Sequence, residues 1–426
     1  MRSSAVLVAV SVAVSFMGAL GSAFAAKAAP ASASKETPLA TLVVDAGYLD
    51  RERSPVAVPL PPSVASAKAL RLTDERGRPI PATAAEGTLH FVVPALAKGK
   101  KARLRLYGAE STASAGERVA IKRGAEALIA TVDGAPIFHF RTKAPEPTAE
   151  VPARYLRAGY LHPVFSPRGV LVTDDSPEDH RHHHGVWTAW TVAEYEGRRL
   201  SFWGPEPGKS KNDLVSVGQI WQGDAAAGFS AKLASSDLGV KPPKQILDSA
   251  WKVVVYRTHD RRPPYFLFDL EWTDKVVGDK PLRLPEYRYG GLGVRGHRDW
   301  IDGLAMTFLT SEGKGRLEGE NTRARWVYLG GTVGKKKAGL SVLVHPLNMR
   351  APQPVRLNPG IPLLVVSPPK AGDMAIEPDH PYSVRYRFVV TDGPPNPKLL
   401  ERLWRDYART PKVEVELAGA KTASVQ

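Results

Sequence analysis

The chain has 426 residues, a formal net charge of +15 and no cysteine. Without cysteine there is no disulfide scaffold, no thiol catalysis and no lipid anchor on a modified Cys, so stability must come from burial, which this length allows. The positive charge is spread along the chain and accompanies no nucleic-acid-binding motif, so nucleic acid is not an expected partner, while attraction to acidic glycans or a negative cell surface stays open.

At the N-terminus, Arg2, an apolar run from Ala5 to Leu20 and Ala23-Phe24-Ala25 before Ala26 have the layout of a cleaved secretory signal over residues 1–25. A periplasmic or secreted protein is expected. The run is too short for a comfortable anchor, and no other stretch approaches membrane-spanning length. Residues 26–38, rich in Ala, Ser, Pro and Lys, read as a flexible leader. From 39 to 110, short β-prone segments alternate with Pro-Pro, Arg-Gly-Arg-Pro and Lys-Gly-Lys-Lys turns, the spacing of a small β-sandwich. Ala109 to Gly116 is small and polar enough for a linker.

From 117 to 410 the strands are longer and more aromatic, and several alternate: Trp251, Val253 and Val255 share one face, Lys252, Val254 and Tyr256 the other. Lys335 to Lys337 sit where a hairpin tip is expected. Only one segment reads as helix: Asn396 caps it, Pro397 suits its first turn, and Leu399, Leu400, Leu403, Trp404 and Tyr407 make an apolar stripe to lay on a sheet. Residues 411–426 read as a disordered tail. The predicted fold is all-β: a large antiparallel, supersandwich-like β-sandwich preceded by a small one, with one C-terminal helix.

The chemistry concentrates in Gly159 to Trp190, where Asp174, Asp175, Glu178 and Asp179 precede His180, His182, His183 and His184. On an extended segment His180, His182 and His184 would share one face and His183 the other. A His-x-His pair such as His180 and His182 suits a divalent metal ion, and the same rings suit metal-free acid–base work, since imidazole titrates near neutrality. Alternatively the rings are simply hydrogen-bonded to the adjacent acids. In Leu284 to Trp300, Glu286 stands among Arg288, Arg295 and Arg298. It is either a satisfied ion pair or a general base or metal ligand, with the arginines gripping ligand oxygens. His345 and Asn348, at a strand end, are either ligand-binding residues or a turn built on Asn348 with His345 packed beneath it. Aromatic faces stack on sugars. Most of the nine tryptophans must nonetheless fill a core, and Trp187 and Trp203, near the histidines in sequence, are the candidates for site walls.

Three blocks carry a resemblance: PVFSPRGVLVTDDSPEDHRHHHGVWTAW, EYRYGGLGVR and VLVHPLNMRAP. In this order they resemble the family labelled methane oxygenase PmoA-like, frequent in exported proteins of bacteria that degrade polysaccharides, over roughly residues 117 to 410. Against that family's Asp-His-Pro-His-His-Arg-Gly block, Asp179, His180, His182, His183 and Gly185 match, while Arg181 replaces the proline and His184 the arginine. Chemistry on methane does not follow, because the membrane subunit of methane monooxygenase spans a bilayer and this chain has no such span. The fold and setting are similar to the galactose-mutarotase superfamily, where a His acid and a carboxylate base act on a sugar. The leading expectation is thus an exported carbohydrate-active hydrolase, lyase or epimerase with His180, His182, His183 and Glu286 as acid–base residues and Arg168, Trp187, Arg295, His345 and Asn348 on the ligand. Two other functions stay open: a non-catalytic glycan-binding envelope protein, and a metalloprotein with a divalent ion on His180 and His182.

Overall fold

The computed structural model describes residues 36–67, 69–109, 118–259, 263–301 and 305–418; the expected signal segment and most of the expected leader and linker lie outside them. Two eight-stranded antiparallel sheets form the large sandwich. One runs, in spatial order, Val355–Leu357, Leu363–Val366, Gly291–Arg295, Val186–Ala189, Leu161–Val164, Ala135–Arg141, Ala127–Val132 and Val119–Arg123. The other runs Ser210–Trp221, Ala226–Asp237, Lys244–Tyr256, Tyr265–Val276, Tyr382–Asp392, Lys336–Val344, Trp326–Val333 and Met306–Thr310. Their facing side chains make one apolar core. Phe138 meets Phe268 at 5.0 Å between ring centroids, and Trp251 donates from its indole to Thr188 Oγ1 at 3.1 Å.

The alternation read from sequence holds on Lys244–Tyr256. Trp251, Val253 and Val255 enter the core between the sheets, while Val254 and Tyr256 face a second apolar cluster outside it. That cluster is closed by the helix Pro397–Ala408, through Leu400, Leu403 and Tyr407. Asn396 caps the helix by accepting from Leu399 N at 3.1 Å, as its sequence predicts. The large sheets therefore need no exposed apolar face.

The small sandwich packs a five-stranded sheet on a three-stranded one around Leu42, Val44, Val56, Val58, Leu72, Phe91 and Leu106. The expected tail is corrected here. Lys412–Leu417 is the outer strand of that five-stranded sheet, antiparallel to Ala40–Asp45, and Val413, Val415 and Leu417 pack on the small core. Its alternation of Val413, Val415 and Leu417 with charged residues fits a strand, but the partner about 370 residues earlier in the chain is not written in the segment. The described residues from Thr37 onward belong to one compact unit. Inside it Arg51 pairs with Asp406 of the helix at 3.1 Å, and His90 stacks on Trp221 at 4.7 Å. Among the described residues no helix is long and apolar enough to cross a membrane.

Candidate functional site

The histidines sit on a loop held at both ends by strands. Leu161–Val164 turns back through Ser166 to Gly169, Thr173 bridges Gly296, and the chain re-enters the sheet at Val186–Ala189 beside Gly291–Arg295. Between them the backbone is not extended. His180 N bonds Pro177 O at 3.0 Å and His183 N bonds His180 O at 2.9 Å, two successive turns. The expected alternation of ring faces is therefore wrong: His180 and His183 stack in parallel, centroids 4.5 Å apart and 6° between planes. The proline and acids upstream favour turns, and the loop's hydrogen bonds go inward rather than to a strand partner. Gly185 closes the loop where no side chain fits, since a Cβ there would lie 2.2 Å from Leu161 O.

Two arginines pin the loop. Arg295, fully buried, donates from Nη2 to both Asp179 oxygens at 2.7 and 2.9 Å. Arg298 reaches Asp174 Oδ1 at 2.5 Å. Arg295 Nη1 also faces His183 Nδ1 at 3.5 Å, an arrangement that makes Nδ1 an acceptor. Burial, then the neighbouring imidazoles and Arg295, hold the His183 pKa far below its usual value. His183 is thus held as a neutral ring, stacked on His180 and tilted against Trp187. His180 lies half-exposed with Nδ1 on Asp179 at 2.9 Å.

His184 has different surroundings. Its Nδ1 meets Asp175 Oδ1 at 2.7 Å, its ring stacks on Tyr160 at 4.5 Å, and Tyr160 donates to Asp175 Oδ2 at 2.7 Å. Burial opposes the charge on Asp175, but the hydrogen bond and charge of His184, then His162 and Tyr160, hold its pKa below the usual carboxylate value. An ionised Asp175 wants a donor at Nδ1, which leaves the lone pair of the neutral ring on Nε2. Nε2 has no partner among the described residues.

Both His182 and His184 line a cavity of about 340 Å³. Its other walls come from the turn Ala153–Tyr155 with Arg157, from Phe202 and Trp203, and from the start of the strand Ser210–Trp221, including Lys211, Asn212 and Asp213. Asn212 is fixed by Phe202 O and by Ser235 Oγ, the latter at 2.6 Å. Burial, reinforced by His180 and His184, lowers His182 to about 4, so this ring is neutral near pH 7.

Of the residues expected from sequence, the structure brings together His180, His182, His183, Arg295 and Trp187, though Trp187 is fully buried beneath His183 and leaves the cavity wall to Trp203. The others lie apart. Glu286 lines a different surface cavity with Arg288, Arg323 and Lys370. Arg168 is exposed at a hairpin tip beside Asp392, at 4.0 Å. His345 accepts from Leu347 N at 3.2 Å and packs on Tyr407, while Asn348 makes paired bonds to the backbone of Arg385, each 2.8 Å. The turn reading of that block is the one realised. For a metal, His180 and His182 find no third ligand: among the described residues no group of three or more His, Asp or Glu is arranged to hold an ion, and Asp179 is engaged by Arg295. Sequence reasoning missed Asp175 as the partner of His184, and missed Tyr155 and Arg157 altogether. A signal existed in the Arg-Tyr-Leu-Arg run 154–157, a cationic and aromatic stretch just before the histidine block.

No curated protein matches the chain. The description of the family whose model matches assigns no activity, and the match spans the histidine loop, both large sheets almost entirely, and most of the helix. With residues 127–405 of 426 matched, the chain belongs to the family of unknown function DUF6807.

Proposed function

We propose that the chain is an exported carbohydrate-active protein whose cavity beside the histidine loop carries out acid–base chemistry on a sugar. The observation that carries this reading is the Tyr160–Asp175–His184 chain, with hydrogen bonds of 2.7 Å at both links and His184 on the cavity wall. A carboxylate on Nδ1 orients the ring and stabilises the imidazolium formed when Nε2 takes a proton. His182, neutral near pH 7, offers a hydrogen bond without competing for that proton. Tyr155, Phe202 and Trp203 supply aromatic surface and Asn212 a fixed amide, a lining suited to a polyhydroxylated ring. The three sequence blocks and the signal-like N-terminus support the setting, a periplasmic or secreted protein of polysaccharide breakdown. Hydrolase, lyase and epimerase chemistry all fit one positioned base.

The test is a screen of oligosaccharides with the wild-type chain, His184→Gln and Asp175→Asn, each checked for folding by circular dichroism. Turnover should fall roughly 100-fold or more in both variants. Turnover that survives both removes the proposed base. A second reading, a non-catalytic glycan-binding protein, is favoured by one observation: Asp213, the carboxylate on the cavity wall, is taken by Lys211 at 2.7 Å, so no evident second acid–base partner faces His184. That reading expects binding with no product after long incubation.

A further inference from the structure

Five arginines are buried among the described residues, and four have a carboxylate: Arg51 with Asp406, Arg257 with Asp133, Arg295 with Asp179 and Arg387 with Asp269. Arg157 does not. Only 8% of its surface is exposed, yet it bonds two main-chain carbonyls, Ala158 O from Nε at 3.2 Å and Thr188 O from Nη1 at a long 3.4 Å. Its Nη2 has no hydrogen-bond partner among the described residues, and Arg157 lines the cavity. A buried charge is costly unless paired. The acids that act on Arg157 from further off are committed elsewhere: Asp213 to Lys211, Asp274 to the indoles of Trp190 and Trp272 at 2.7 Å each. Burial, the largest influence on Asp274, raises its pKa only to about 6, so it stays mostly ionised near pH 7, but it does not line the cavity.

We propose that Arg157 anchors a carboxylate and that the ligand of this cavity is a uronate, free or at the end of an acidic glycan. The inference rests on the carbohydrate reading of the cavity. Charge on the cavity wall selects the class: Lys211 and Asp213 pair with each other, and Arg157 is the buried cation of the wall. Its Nη2 suits a monoanionic carboxylate, as the single Nη2 of Arg295 serves both oxygens of Asp179. A phosphate monoester dianion would call for a second buried cation, and Arg154, the other arginine of the wall, is exposed with its guanidinium laid on Tyr155 at 4.4 Å. The volume, near the lower end of small-ligand pockets at roughly 300–1,000 Å³, suits a single sugar or a terminal unit.

Calorimetric titration of the full chain decides this with D-glucuronate, D-galacturonate, D-mannuronate, D-glucose, the methyl ester of D-glucuronate, and acetate. At least one uronate should bind, more weakly as salt is raised, with glucose and the ester about tenfold to 100-fold weaker. Arg157→Gln should abolish that preference. If the variant does not fold, comparison of D-glucuronate with its ester on the wild-type chain decides alone, because it removes the ligand's charge and leaves the protein intact. Glucose and the ester binding as tightly as the uronates would overturn the role of Arg157 and leave the carbohydrate reading standing. Acetate matching the uronates would keep the anchor and overturn the sugar. Binding of none of the six would overturn both.

Discussion

His183 and His184 are neighbours in the chain and both nearly fully buried, yet one faces a guanidinium and the other a carboxylate. Burial, then the neighbouring imidazoles and Arg295, lower the His183 pKa, whereas His184 has its Nδ1 on Asp175. The composition of the loop showed a cluster of imidazoles; what each one faces depends on partners 112 residues away on a different strand and 9 residues away across a turn. The wall behind His183 is equally specific. A Cβ on Gly293 would lie 2.7 Å from the Trp203 ring and 2.8 Å from that of Trp187, and neither indole has room to retreat. Gly293→Ala should therefore destabilise the chain by roughly 1–3 kcal/mol through overpacking. Urea unfolding measures it, and an unchanged midpoint would mean the indoles repack freely.

Among the elements, the helix Pro397–Ala408 and the strand Lys412–Leu417 do the most joining. The helix covers the outer face of one large sheet, and its Asp406 meets Arg51 and Ser54 of the small sandwich at 3.1 and 2.8 Å. Both members of the ion pair are buried, with side chains 4% and 2% exposed. Asp406→Ala would leave Arg51 a buried cation held, among the described residues, only by the carbonyls of Ala46 and Arg409 and should cost about 3–5 kcal/mol, read from the unfolding midpoint. Arg51→Met combined with Asp406→Leu should recover much of that loss. A double variant no more stable than the single one would show that the contact is more than an ion pair. The cap and stripe made the helix legible, but nothing in the segment 412–417 announced that it would complete the first sheet.

Across the whole molecule, His90 stacks on Trp221 where the small sandwich meets the large one, and His345 lies under Tyr407 of the helix. Burial lowers each to about 4, below the value near 6.5 expected when unfolded. The unfolded chain then takes up protons first as pH falls, so stability present above pH 6.5 is lost on the way to pH 4. At about 1.4 kcal/mol per unit, each histidine contributes a loss of a few kcal/mol. Asp274 has the opposite sign: its folded pKa is raised to about 6, so it takes up its proton in the folded state first and adds relative stability between about pH 6 and 3.8. Two histidines outweigh one aspartate, and the depressed His182 adds to them. The urea midpoint should hold steady above pH 6.5 and fall by pH 4.5; a midpoint independent of pH would refute the balance.

Alternation of apolar residues, turn residues between short runs, and one capped amphipathic segment were enough to specify an all-β chain with two sandwiches and a single long helix. These signals are local, since the strand period and helix caps act within a few residues. The cavity is not local. Residues 153–157, 182–184 and 202–213 meet because strand pairings set which loop ends share an edge, and that pairing is written in no one segment. The same reason separated Glu286, Arg168, His345 and Asn348 from the histidines although all are polar and near strand ends. Whether a buried charge is satisfied or left waiting for a ligand, as at Arg157, depends on the distance to every acid in the folded chain, and only packing fixes that.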